Sequence, residues 1–352
     1  MMEVLREFLN DYPIPSTSDL LMAAPRAEVQ IILALIHTCV WYFLINEIFV
    51  PIGILIFSNL KTKKRFLHFN RQTMKKAIGW DIGDDENEQM LAIARIDAAM
   101  MQHLVGAILS FPSGFGFSSM LPAGVASAMA CQANLCELGW EISDTLLRIY
   151  EIIFGGEKGR RMNPPSLMMT LMAHHTAAFL VAIPMNIHYP NNSLFHEGVC
   201  IVEFGIFVVF MCQQYGFTLD INTREGLTKM KISCTIVFVT VVWSRVIRYA
   251  YVWTSTLILA YEDGNWFVLK CMAAPTIFLT LFNLVVLKDA TQKFLKFAFM
   301  DSKKGSKGYI EGTFKKIDDI KELVKKTGSS DSQIRSRKLI TGASAEDIFV
   351  DY

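Results

Sequence analysis

The sequence predicts an all-α polytopic membrane protein of about seven transmembrane helices. Composition is the first observation behind that: hydrophobic residues make up 52% of the 352 residues and charged residues only 19%, where a water-soluble domain carries about 25% charged residues. The mean hydropathy is +0.32. The second is that the charge deficit falls in seven long apolar runs, each near the roughly 20 residues a helix needs to cross the hydrocarbon layer. The third is a regular alternation of charge in the connections between those runs. A net charge of +1 creates no strong field, so no nucleic-acid partner is expected.

Residues 1–28 are expected to form a luminal segment. Residues 1–27 hold Glu3, Arg6, Glu7, Asp11, Asp19 and Arg26, with no short apolar core and cleavage site, so the first span is expected to be an uncleaved anchor. The spans are placed at 29–59, 90–112, 117–150, 165–189, 194–217, 230–260 and 265–288, the first standing apart from a six-helix unit over 60–298. The first, third and sixth are longer than crossing requires, so each tilts or extends into water. Pro51 and Pro122 are expected to kink the first and third. Residues 299–352 are expected to be a cytosolic tail, partly disordered. There Ile310, Phe314, Ile317 and Val324 recur at helical spacing beside Lys315, Lys316, Lys321, Lys325 and Lys326, a pattern suited to an anionic membrane surface.

The connections set the expected orientation. Lys61, Lys63, Lys64, Arg65, Arg71, Lys75 and Lys76 lie between spans one and two, Lys158, Arg160 and Arg161 between three and four, and Arg224, Lys229 and Lys231 between five and six. The intervening loops near 113–116, 190–193 and 261–264 contain no Lys or Arg. The positive-inside rule then places the N-terminus outside the cytosol and the C-terminus within it. Asn191-Asn192-Ser193 forms a glycosylation sequon, expected to lie too close to the membrane for modification. The seven cysteines form no C-x-x-C pair and read as small buried hydrophobes.

Ionisable groups inside a span cost at least about 2.5 kcal/mol unless they find a partner or water, and several occur here. The pair His174-His175 falls mid-span in the fourth run, its imidazoles about 100° apart around the helix. Both can border one cavity without stacking. Glu137, Glu141 and Asp144 share one face of the third span at i, i+4, i+7 spacing, turned toward the bundle interior. His196, Glu197, Glu203, Gln213 and Gln214 lie on the fifth span, and Arg245 and Arg248 on the sixth, within reach of those carboxylates. Asp97 and His103 lie on the second. This set reads either as a polar chamber with a histidine acting as base or nucleophile, or as a hydrogen-bond network joining helices. A retinal pigment would need a Schiff-base lysine deep in the last span, but Lys270 and Lys288 lie near its opposite ends.

Four stretches resemble the TLC-domain family, which includes the ceramide synthases. They are His174-His175; Gly139-Trp140-Glu141-Ile142-Ser143-Asp144, similar to the family's aromatic-x-x-x-Asp ending; Val202-Glu203-Phe204 with Phe207; and Val242-Trp243-Ser244-Arg245, where the family places an arginine. The resemblance implies a TLC-like six-helix bundle plus one N-terminal helix, in the endoplasmic reticulum. Its expected partners are membrane lipids and a second copy of the chain. It also implies acyl transfer from acyl-CoA, as co-substrate, to a lipid amine, with no resident cofactor or metal. Catalysis would fall to His174, His175, Asp144 and Glu141, and substrate binding to His196, Glu203, Arg245, Arg248 and Glu137. Ceramide synthases share a stretch of form H-D-x-x-D-x-x-L-E. Here His196-Glu197-Gly198-Val199-Cys200-Ile201-Val202-Glu203 puts Cys200 in place of the second acid and brings Glu203 one position early, so the chain resembles the divergent members more closely. Two other functions stay open: a non-catalytic protein that binds, senses or transfers a lipid, and a transporter, channel or subunit of a larger membrane assembly.

Overall fold

A computed structural model describes residues 15–300, and all the regular structure among them is helical. The expected tail helix at 310–326 and the first half of the N-terminal segment lie outside the described residues. The main helices are α1 (Ala27–Ser58), α2 (Lys63–Ile78), α3 (Glu86–Gly114), α4 (Val125–Phe154), α5 (Pro165–His188), α6 (Ser193–Thr218), α7 (Arg224–Glu262) and α8 (Trp266–Ala298). Helices are the expected solution where lipid leaves backbone groups no water to bond.

By length and composition α1, α3, α5, α6, α7 and α8 can each cross a membrane, which makes this a multi-pass all-α membrane protein. Their outward faces carry the apolar side chains such a protein turns to lipid. Ile277, Leu281 and Val285 form an exposed stripe down α8. The expected third span is α4, a helix of 30 residues. Glu137, Glu141, Asp144, Arg148 and Glu151 make it too polar to qualify by composition. It packs instead between α1, α3 and α5, with Glu137, Glu141 and Arg148 buried.

Three expectations need correcting. Pro122 does not kink a span: it sits in a turn before α4, between Gly116 and Gly124, both at positive φ. Such backbone favours glycine and ends one helix before the next begins. The basic stretch between the first two expected spans is not merely a connection, because most of it forms α2. That helix buries Phe66, Leu67, Asn70 and Met74 on one face and ends at Gly79 in the left-handed region. The sixth and seventh expected spans are longer than drawn, running from Arg224 and to Ala298.

Pro51 has the effect proline chemistry demands. Its missing N–H cannot return to the Glu47 carbonyl, and α1 widens to a π-helical turn over Leu44–Phe49 just before it. The basic connections gather at one end of the bundle. There Arg65 pairs with Asp220 across 3.4 Å, and Lys158 and Arg161 both pair with Glu88. Lys75 and Arg71 hydrogen-bond the Asp81 carboxylate, which holds it well below the usual carboxylate range.

Close approach between α1 and α4 depends on one missing side chain. A Cβ at Gly139 would stand 2.5 Å from His37 Cβ and 2.6 Å from its carbonyl carbon. Gly139→Ala must therefore part the two helices, at a cost of about 1–3 kcal/mol. Thermal unfolding in detergent tests this, and an unchanged midpoint would mean the contact is not tight.

Candidate functional site

The ionisable residues of the spans meet at the centre of the bundle, because each lies near the midpoint of its helix. His103 is on α3, Glu137 and Glu141 on α4, His174 and His175 on α5, and Glu203 on α6. His103 Nδ1 is 2.5 Å from Glu203 Oε2 and 3.4 Å from Glu137 Oε2. His174 Nε2 is 3.5 Å from Glu141 Oε1 and 3.8 Å from Glu137 Oε1. Glu137 thus offers one oxygen to each histidine. Trp140 stands edge-on to both His103 and His175, closing the centre from one side.

The three glutamates and His103 are buried, Glu141 to 1% exposure. Both oxygens of Glu141 and Oε2 of Glu137 lack a hydrogen-bond partner. Their ion-pair contacts are to histidines, and no Lys or Arg pairs with Glu137, Glu141 or Glu203 among the described residues. A buried carboxylate without a counter-charge is costly. Buried Arg245 lies near enough to act electrostatically on Glu203 and Glu137, while Glu141 has only His174.

The two neighbouring histidines divide their roles. Their rings tilt at 55° with centroids 5.9 Å apart. His174 faces the glutamates. His175 pairs its Nδ1 with Thr145 Oγ1 at 2.8 Å, while its buried Nε2 has no partner. His175, Glu141 and Thr145 line an apolar groove of about 270 Å³ between α4 and α5, walled by Leu138, Ile142, Leu146, Phe179 and Leu180. A second groove of about 410 Å³, lined by apolar side chains of α3, α6 and α7, runs past Phe111, Phe204 and Trp243.

Other sequence-predicted site residues lie beside this centre. Asp144 accepts from Arg148 Nε at 2.7 Å, and Arg148 continues to Asn163. Arg245 donates to the Val202 carbonyl at 3.1 Å, and Arg248 clasps Glu197 through two 2.7 Å hydrogen bonds. Neither arginine pairs with the α4 carboxylates, contrary to the sequence expectation. Both reach α6 instead, from within and just after a π-helical segment, Val242–Ile247. His196 is buried and bonds Ser113 Oγ at 2.7 Å. His103 is the residue the sequence reading left without a role. A histidine in an apolar run was the available signal, but its partners lie 34 and 100 residues away.

The fold and this centre define a class: a multi-pass helical membrane protein with a buried histidine–glutamate cluster beside an apolar groove. Comparison with models of known families, with curated proteins and with solved structures finds no match to this chain.

Proposed function

We propose that the protein is a membrane enzyme of lipid metabolism that transfers an acyl group from acyl-CoA to a lipid amine, with His175 as the base. The observation that carries this reading is a partner-free imidazole nitrogen where an apolar groove meets a buried carboxylate. Thr145 orients the ring; with Nδ1–H donating to Oγ1, Nε2 is left free to accept a proton. The amine lone pair attacks the thioester carbonyl, and the ammonium proton passes to Nε2. The tetrahedral intermediate collapses with cleavage of the C–S bond, and His175 returns the proton to the leaving thiolate. The groove excludes water, which would otherwise compete as acceptor.

Residence in the endoplasmic reticulum, an N-terminus outside the cytosol and a cytosolic C-terminus belong to the same proposal. The basic end of the bundle suits an anionic, cytosolic acyl-CoA. A long-chain acyl-CoA and a sphingoid base, incubated with the purified protein, form the test, with the amide product followed by mass spectrometry. His175→Ala is expected to slow product formation by about 10²- to 10⁴-fold, and Glu225→Gln, on a surface ion pair, to leave it unchanged. Equal rates for wild type and His175→Ala would end the base assignment.

One observation favours a second reading, lipid binding without turnover. In the segment resembling the ceramide synthase motif, His196 and Glu197 are already engaged by Ser113 and Arg248. Co-purified lipid with no amide product would support that reading.

A further inference from the structure

We propose that the central cluster is a two-ion site for first-row divalent cations, with His103 and Glu203 on one ion, His174 and Glu141 on the other, and Glu137 bridging both. The inference does not depend on what the groove binds.

Two donor sets coincide here. His103 Nδ1, Glu137 Oε2 and Glu203 Oε2 form one, and His174 Nε2, Glu137 Oε1 and Glu141 Oε1 the other; each set's atoms lie within 4.8 Å of one another. Ligands bonded at about 2.1 Å stand about 3.0–3.4 Å apart around an octahedral or tetrahedral ion. The 3.4 Å from His103 to Glu137 and the 3.5 Å from His174 to Glu141 already match. The 3.8 Å from His174 to Glu137 must close slightly, and the 2.5 Å from His103 to Glu203 must open. Small rotations of the His174 and Glu203 side chains would accomplish both.

Charge and hydrogen bonding point the same way. Glu141 is buried to 1% exposure with both oxygens unpartnered, and Glu137 Oε2 is likewise unpartnered. Histidines are their only ion-pair partners among the described residues. Two divalent ions would add to the counter-charge of Arg245 and give the unpartnered Glu137 and Glu141 oxygens their partners. Placing glutamate and histidine ligands on facing helices, with carboxylate bridging, is how helical bundles build paired metal sites. The mixed imidazole and carboxylate donors, without thiolate, favour Mn²⁺, Fe²⁺ or Zn²⁺ over Ca²⁺ or Mg²⁺.

The test uses the full chain in detergent, purified without a histidine tag and stripped with chelator. It is titrated with Co²⁺ by absorption spectroscopy and with Zn²⁺ and Mn²⁺ by elemental analysis after gel filtration. About two ions per chain are expected for wild type. Glu137→Gln should lower this to one or none, and Glu225→Gln should leave it unchanged. Because Glu137→Gln can disturb folding, the wild-type titration stands alone as a criterion. No uptake, or a single ion, would overturn the shared-carboxylate site, as would two ions unaffected by Glu137→Gln in a protein that elutes normally. With Mn²⁺, spin coupling between the ions should broaden or weaken the paramagnetic resonance signal. Two isolated-ion signals would also overturn it.

Discussion

Glu197→Leu is expected to destabilise the protein by about 1–3 kcal/mol, the typical cost of leaving a charged hydrogen-bonding partner of a partly buried pair unsatisfied. Glu197 is buried on α6, and its two oxygens receive Nε and Nη2 of Arg248 at 2.7 Å each. The guanidinium also lies 4.9 Å over the ring of Tyr251. Leucine leaves that guanidinium, a third of it exposed, without its counter-charge beside the first turn of α6 and the last turn of α3. The local backbone offers no relief, because a Cβ on Gly114 would already touch the Glu197 backbone at 2.7 Å. The double variant Glu197→Leu/Arg248→Met removes both charges and should recover most of the loss. Unfolding of the set in one detergent, by heat or by graded SDS, measures the difference. Equal stability of the single variant and wild type would show that the pair contributes little, and a double variant no better than the single would show that charge isolation is not the cause.

The same residues show what sequence can and cannot reveal. Seven apolar runs each coincide with a long helix, and six of those helices are long and apolar enough to cross a membrane, because a crossing run must satisfy its backbone within itself. α2 was hidden by its own charge. Its lysines and arginines marked a connection, while Phe66, Asn70 and Met74, at i, i+4 and i+8, already carried the helical period. The polar centre was legible in part. Glu137, Glu141, His174 and His175 are conspicuous in apolar surroundings. Their assembly with His103 and Glu203 is not, since it follows from α3 lying against α4 and α6. The destination of Arg248 was equally hidden, because no proline marks the π-helical segment before it.

Glu141→Gln should move stability and function in opposite directions. In metal-stripped protein both Glu141 oxygens are buried without hydrogen-bond partners, and a buried unsatisfied group costs about 1–3 kcal/mol, more when charged. Glutamine keeps the shape, removes the charge and offers an N–H₂ to the neighbouring carboxylate Glu137. The chelated variant is therefore expected to unfold at a higher temperature than chelated wild type, by an amount equivalent to about 1–3 kcal/mol. Under the proposed function and metal site, lipid acylation should fall by about 10²-fold or more, since the groove beside His175 loses its carboxylate and the paired site one ligand. A lower unfolding temperature for the chelated variant would show that Glu141 already has a compensating partner. Higher stability with full activity would assign it to neither the groove chemistry nor the metal site. Natural sequences tolerate a destabilising charge at a site whose work requires it. Opposite signs in these two measurements are what separate such a site from a plain structural network, where stability and activity would fall together.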